Sequence, residues 1–358
     1  MNRVESGNIL VVWDRIGDYH RARVRALKEL VNEEQVFTAD FGGEDGLYGW
    51  GRSAESNRHF VLSTKPVEKL DLWNRVRRFW KLLKEKQIRN VAIAGYGRLE
   101  YILFIKLAWM RGCRVTLFAE SWYGENWLLN RAKGFFLRIF CQRFFVSGSR
   151  ARDHFHKKLG IPQDRILVGY SVVDNDHFAT SGSIRREPVL LSVARFSPEK
   201  NLGMLIAAFR QSELASSWRL RLIGGGPEEK ALRDAAGGSD RVEFVGWVGY
   251  EALPGEYARA SAFVLPSTFE PWGLVVNEAM AAGLPVICSD ACGCQPDLVD
   301  EESGWLFHPC DESALVTVLN GLPMTGTQEW LQMSERSRQR VSQFNCSNWA
   351  LYLQESFK

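Results

Sequence analysis

The segment spanning residues 262–290 constrains the fold more than any other part of the chain. Residues 262–266 are an apolar run that reads as a strand, and residues 267–272 read as its exit loop. Residues 274–282 follow as a helix closed by Gly283, and residues 285–290 as the next strand. Strand, loop, helix and strand in that order form the repeating unit of a parallel sheet. The unit also presents a helix N-terminus, with its unsatisfied amides, at the exit of a strand.

The same alternation runs through the rest of the chain. Residues 8–13, 91–94, 115–119 and 144–146 are short apolar strands with helical patterns between them. Residues 14–18 form a loop after the first strand, and a basic helix runs from there through Leu30. The small, polar run 180–186 reads as a linker, after which the pattern restarts. Residues 189–193, 220–223, 242–245 and 263–265 read as strands, and residues 202–211 as a helix. A chain of 358 residues exceeds one ordinary core. The expected architecture is therefore α/β with two Rossmann-like, doubly wound domains, residues 1–178 and 179–358, facing a cleft that holds the site. Residues 330–357 read as helices, the last of them crossing back to the first domain.

Composition narrows the class. Hydrophobic residues make up 46% and charged residues 24%, as in a soluble globular protein. No run of ~18 uncharged apolar residues is present, so no spanning helix is expected. The N-terminus runs straight into a strand and does not read as a signal peptide. The seven cysteines are odd in number and scattered, which suits a reducing, cytoplasmic setting. Cys292 and Cys294 lack a second ligand pair nearby and read as free thiols. Residues 1–178 carry 30 Lys+Arg against 20 Asp+Glu, whereas residues 179–358 carry 15 against 22. The basic first half is thus expected to face an anionic partner.

Candidate chemistry gathers at strand exits of the second half. Glu270 and Glu278 bracket the start of the helix at 274. At ~1.5 Å per residue, Glu278 lies roughly 7–8 Å along the helix from Gly273, about the reach from a nucleotide's phosphate to its ribose. A carboxylate there can accept two sugar hydroxyls while the amides of Gly273, Leu274 and Val275 point at phosphate. Arg195 and Lys200 flank the loop after the strand at 189–193, a planar fork and a point charge suited to clamping two phosphates. Gly224, Gly225 and Gly226 mark a third exit, where the backbone can approach a ligand closely.

These pieces resemble the nucleotide-binding domain of the retaining family-four glycosyltransferases of GT-B fold. The matching residues are Val193-Ala-Arg195 with Pro198-Glu-Lys200-Asn, Leu222-Ile-Gly-Gly-Gly-Pro and Val242-Glu-Phe-Val-Gly246. They continue with Val264-Leu-Pro-Ser267, Glu270-Pro-Trp-Gly-Leu, Glu278-Ala-Met-Ala-Ala-Gly-Leu-Pro-Val, and Asp297-Leu-Val with Gly304-Trp-Leu-Phe, in family order over about 120 residues. Residues 155–178 resemble the family's interdomain connection. The resemblance implies that Arg195 and Lys200 bind a donor diphosphate and Glu278 the ribose. It also implies that Glu270 and the amides of Gly273, Leu274 and Val275 hold the sugar and distal phosphate. Phe244 and Val245 would meet the base, and Gly224 would line the donor site.

The first half matches less closely. Gly17 sits where the family's first glycine loop approaches the pyrophosphate. Glu120 stands where the family often has a His, so the usual sugar contact is altered. Glu270, Arg195, Lys200 and Glu120 are the catalytic candidates, and His20, Tyr96 and Trp122 the acceptor-side candidates. His20 can be read as an acid–base group or as a partly exposed His at a helix start. Asp174 and Asp176 have the spacing of a metal-binding pair, but they lie in the connecting segment, and a metal-independent enzyme is expected.

The implied function is retaining transfer of a sugar from a UDP- or GDP-linked donor to a glycan or lipid-linked acceptor in cell-surface polysaccharide or glycolipid synthesis. No cofactor is expected beyond the nucleotide sugar. Alternatives are a catalytically impaired nucleotide-sugar-binding protein and a GT-B sugar-nucleotide epimerase or hydrolase. A nicotinamide-dependent oxidoreductase lacks its Gly-x-Gly-x-x-Gly fingerprint after the first strand. Residues 73–84 and 131–143 mix cations with large apolar groups, as interfacial helices do. Peripheral contact with an anionic membrane face is one expectation; nucleic acid is not, because no recognition motif accompanies the charge.

Overall fold

The computed structural model describes residues 7–42, 56–63, 65, 71–124, 126–179 and 186–358. Its contacts divide the chain into two α/β units, Met1–Val172 with Cys346–Lys358, and Val173–Asn345. The break at Val172 corrects the expected boundary at residue 178, because Val173 pairs with Asn345 and the following helical turn packs within the second unit. Most of the linker reading, residues 180–185, lies outside the described residues.

In the first unit, β1 (Ile9–Val12), α1 (Asp18–Leu30), β2 (Val36–Asp40) and β3 (His59–Val61) come first. Next are α2 (Leu72–Glu85), β4 (Asn90–Ala94), α3 (Leu99–Met110) and β5 (Arg114–Ala119). Then come α4 (Trp127–Phe140), β6 (Arg143–Val146), α5 (Ser149–Asp153) and β7 (Ile166–Val168). The described strands form one sheet of order β3-β2-β1-β4-β5-β6-β7, all pairs parallel. β1 is buried along its whole length, as a strand covered on both faces must be. Leu10, Val12, Val91, Leu117 and Phe144 meet Phe79, Leu83 and Phe104 from the helices in a shared core. Each such side chain contributes roughly 1.5–3 kcal/mol when fully buried.

The second unit contains α6 (Asn175–Phe178), β8 (Val189–Val193), α7 (Leu202–Gln211), β9 (Arg219–Ile223) and α8 (Glu229–Ala236). It continues with β10 (Val242–Gly246), α9 (Leu253–Arg259), β11 (Ala262–Leu265), α10 (Leu274–Ala281) and β12 (Val286–Ser289). α11 (Gln295–Leu298), β13 (Gly304–Phe307), α12 (Glu312–Asn320) and α13 (Gln328–Val341) complete it. The sheet order is β10-β9-β8-β11-β12-β13, again parallel throughout. The last helix, α14 (Cys346–Glu355), belongs to the first unit, where Trp349 is fully buried beside Trp13, Phe118 and Phe145.

The basic helix expected after β1 is not simply a solvated face. Arg23 on α1 is 2% exposed. It donates to the Val172 carbonyl through Nε at 3.1 Å and Nη2 at 2.8 Å and lies over the Tyr170 ring. A buried guanidinium of this kind is tolerated because its donors are matched.

Candidate functional site

Both sheets reverse their direction of winding at one point, the place where ligands bind in open α/β sheets. In the second unit that point lies between β8 and β11. The loop after β8 carries Arg195 and Lys200, and the loop after β11 carries Glu270.

Backbone and side-chain bonds stitch these two loops together. The Thr268 amide donates to the Glu199 carbonyl at 2.8 Å, and Asn201 donates to the carbonyls of Pro266 at 3.3 Å and Pro309 at 2.9 Å. Asn201 itself takes the left-handed conformation, with φ at 55°. Glu270 is clipped on both sides, its amide to Ala291 and its carbonyl to the Gly293 amide. Trp272 is a buried wedge whose indole donates to Asn277 Oδ1 at 2.8 Å.

The side chains that result are paired. Lys200 Nζ forms an ion pair with Glu270 Oε2, the two side chains being 17% and 13% exposed. Arg195 Nη2 donates to Glu199 Oε1 at 2.9 Å. Ser197 Oγ donates to the same oxygen at 2.6 Å. Ser197's hydroxyl, backbone hydrogen bonding and Arg195 together hold the Glu199 carboxyl down at about 2, against the opposing effect of burial. Sequence reasoning missed Glu199, although it stands between the two cations.

Gly273 starts α10 at φ 103°, where a Cβ would come within 3.0 Å of Leu265 and 3.4 Å of Glu270. Glycine therefore suits both the left-handed backbone and the close approach. The first amides of α10 emerge beside Glu270, giving a site for negative charge.

Glu278 departs from the expected open carboxylate. It is fully buried, and its Oε2 accepts the Tyr257 hydroxyl at 2.6 Å. The carboxyl is thus engaged by the protein itself, where an open carboxylate was expected. No local signal pointed to Tyr257, since its partner is set by tertiary packing.

Gly224 and Gly226 also serve the protein's own backbone. A Cβ on Gly224 would stand 1.9 Å from the Ala194 carbonyl oxygen, and one on Gly226 2.5 Å from that of Phe196. The close approach is thus to the β8 exit loop, where sequence reasoning expected a ligand. Phe244 is half-buried, with Arg233 over its ring at 4.6 Å and Phe196 edge-on. Val245 lies where the β9–β10 register shifts. Trp247 is 62% exposed, its indole Nε1 3.4 Å from the place a Cβ on Gly225 would occupy.

In the first unit the winding reverses between β1 and β4. Gly17 caps α1 through backbone geometry, and its amide donates to His20 Nδ1 at 3.1 Å. Burial, with Arg23 and Arg21 nearby, holds the His20 imidazole well below its usual range. It is therefore neutral at pH 7, with Nδ1 occupied as an acceptor and the proton on Nε2. The Nδ1 contact fits the helix-start reading of His20.

Tyr96 follows β4 and is half-buried, its hydroxyl held by Ser121 and its ring beneath Lys133 at 5.8 Å. Trp122 follows β5 and lies under Arg150 at 5.0 Å. Glu120, at the β5 exit, accepts the Ser171 hydroxyl at 2.6 Å. Asp14, just after β1, has its carboxyl raised by burial, opposed by Arg15 and Arg98. Sequence reasoning placed Asp14 in the loop without singling it out. Asp174 caps α6 by accepting the His177 amide at 3.3 Å. Cys288, Cys292 and Cys294 are buried free thiols.

Comparison with known proteins gives the geometry a context. Residues 173–339 match the family model described as glycosyl transferases group 1. The sulfoquinovosyl transferase SQD2 of Arabidopsis thaliana is 36% identical over 140 residues, 38% of this chain and 26% of that protein. The putative colanic acid biosynthesis glycosyltransferase WcaL of Escherichia coli K12 is 31% identical over 198 residues, 52% of this chain and 48% of WcaL. The matched regions thus span about half or less of these relatives' own lengths. Among solved structures, Anabaena HepE in complex with UDP superimposes with a TM-score of 0.76 over 97% of this chain and 98% of HepE, at 17% identity. At that identity the likeness carries the fold, and the fold is GT-B.

Proposed function

We propose, from the group 1 glycosyl transferase match over residues 173–339, that the chain is a retaining glycosyltransferase using a nucleoside-diphosphate sugar, UDP- or GDP-linked. The acceptor is a glycan or lipid-linked glycan of a cell-surface polysaccharide or glycolipid. The observation that carries this reading is the Lys200–Glu270 pair at the winding reversal of the second sheet, beside the first amides of α10. HepE, whose fold this chain shares, was solved with UDP, and WcaL is named for colanic acid biosynthesis.

Arg195, Lys200, Glu199 and Glu270 form a quartet with no net formal charge. The binding energy for a diphosphate then comes from the amides of Leu274 and Val275 and from cations released from their carboxylates. As the anomeric carbon–phosphate oxygen bond breaks, negative charge grows on the leaving diphosphate, and preorganised donors at that position lower the barrier by several kcal/mol. The acceptor hydroxyl forms the new bond on the same face and passes its proton to the departing phosphate oxygen. This scheme needs neither a protein nucleophile nor a metal, and it leaves Glu270 to position the sugar. Product analysis with UDP- and GDP-sugars and a polyprenyl-linked acceptor tests it: a product of unchanged anomeric configuration is expected. An inverted product would overturn the retaining mechanism.

A further inference from the structure

Two basic, apolar-rich helices of the first unit present different faces to solvent. On α2 the apolar stripe is interior, with Phe79, Leu82 and Leu83 at 0–5% exposure in the core. On α4 the inward face is Asn130, Gly134 and Leu137. Gly134 lies so close to the Leu159 backbone that an added Cβ would stand 1.8 Å from its carbonyl oxygen. That contact fixes the rotation of the helix and sends a second apolar set outward. Trp127 is 67% exposed, Leu128 64%, Phe135 63% and Ile139 45%. At about 100° per residue these four positions fall within an arc of about 120° on the helix surface. Arg131 and Arg138, both exposed, fall inside that arc, between Trp127 and Phe135. At its far end the patch continues onto α3, where Trp109 and Met110 are 45% and 60% exposed and the Trp109 ring meets Phe140 edge-on at 5.1 Å.

An exposed apolar face this long, with two cations set into it, is an interaction surface. We infer that the outer face of α4, with the end of α3, docks on an anionic lipid bilayer surface. Trp and Phe enter the headgroup boundary, aliphatic side chains follow, and Arg131 and Arg138 pair with lipid phosphates. Charge selects this occupant. The first 178 residues carry ten more cations than anions, complementary to an acidic leaflet. A second copy meeting the same face across a twofold axis would instead bring these two cations against their own like. The inference does not depend on the donor site, which lies in the other unit.

Flotation of the full chain with vesicles tests it, comparing phosphatidylcholine alone with an equal mixture of phosphatidylcholine and phosphatidylglycerol at low salt. Binding to the mixed vesicles is expected, at least tenfold above pure phosphatidylcholine. Phe135→Ser with Ile139→Ser should remove most of it, and so should Arg131→Glu with Arg138→Glu. These side chains are exposed, so unchanged thermal melting would show that each variant is folded. Absence of binding to the mixed vesicles overturns the inference, as does binding that both double variants retain. A concentration-dependent dimer in sedimentation, abolished by Phe135→Ser with Ile139→Ser, would assign the face to a second copy and also overturn it.

Discussion

Lys200 and Glu270, 70 residues apart in sequence, form a shielded ion pair where the second sheet reverses its winding. The pairing makes Glu270 a competitor of any phosphate for the Lys200 ammonium. Glu270→Gln removes that competition while keeping the shape of the side chain. It should leave nucleoside diphosphate binding as tight or tighter, yet lower turnover with the full sugar nucleotide by about 10²–10³. Calorimetry and steady-state kinetics on the same variant check both halves. Equal losses in diphosphate binding and turnover would show that Glu270 acts mainly as scaffold.

Tyr257 and Glu278 are both fully buried, and the hydroxyl is a donor to the carboxylate. Tyr257→Phe leaves that buried carboxyl short of one hydrogen bond, at a cost of about 1–3 kcal/mol in stability. Urea denaturation should show a lower midpoint with an unchanged slope. A midpoint equal to wild type would mean that the Tyr257 bond contributes nothing net.

Gly224 adopts φ 131° with the Ala194 carbonyl 1.9 Å from the site of a would-be Cβ. Gly224→Ala strains the backbone by about 1–3 kcal/mol before any clash is counted. The thermal midpoint should fall, and nucleoside diphosphate affinity should drop with it because the loop bearing Arg195 must shift. Unaltered stability would contradict the packing described for this turn.

His20 supplies a pH dependence with a definite sign. Its folded pKa is depressed by burial and by Arg23 and Arg21, so the unfolded chain takes up a proton near 6.5 that the native state refuses. Stability therefore falls as pH drops from about 7 toward 5, by up to ~1.4 kcal/mol per pH unit per unmatched proton. His154 is shifted the same way by burial and by Lys133 and Lys158. His20→Gln keeps an acceptor for the Gly17 amide and cannot titrate, so its melting temperature should decline less over this range. An unaltered pH profile in that variant would remove His20 from the account.

Much of the second unit was legible because its information is local. The 274–282 helix, the strands on either side and the Gly273 start are encoded by apolar runs and turn residues, and the structure has α10 at Leu274–Ala281. In the first unit, β2, β3 and β7 went unread. β2 follows the polar run Asn32–Gln35, and Ile166–Val168 is three residues long inside a segment taken for a connection. Their identity as strands comes from pairing, β2 with β1, β3 with β2 and β7 with β6, which no window of sequence contains. Site residues followed the same rule. The types and spacing of Arg195, Lys200, Glu270 and Glu278 were readable, but their partners were not. Glu199 and Tyr257 occupy them through contacts made by the fold, and His20 proved to be a helix cap for the same reason.

The central claim is that the second unit binds a nucleoside diphosphate through Lys200. Titration calorimetry of UDP, GDP and ADP into the wild-type chain and into Lys200→Ala tests it most directly. The account predicts saturable binding of at least one of the three to wild type, weakened at least tenfold in Lys200→Ala, or ~1.4 kcal/mol. Absence of binding across the panel, or equal affinity in the variant, would contradict it.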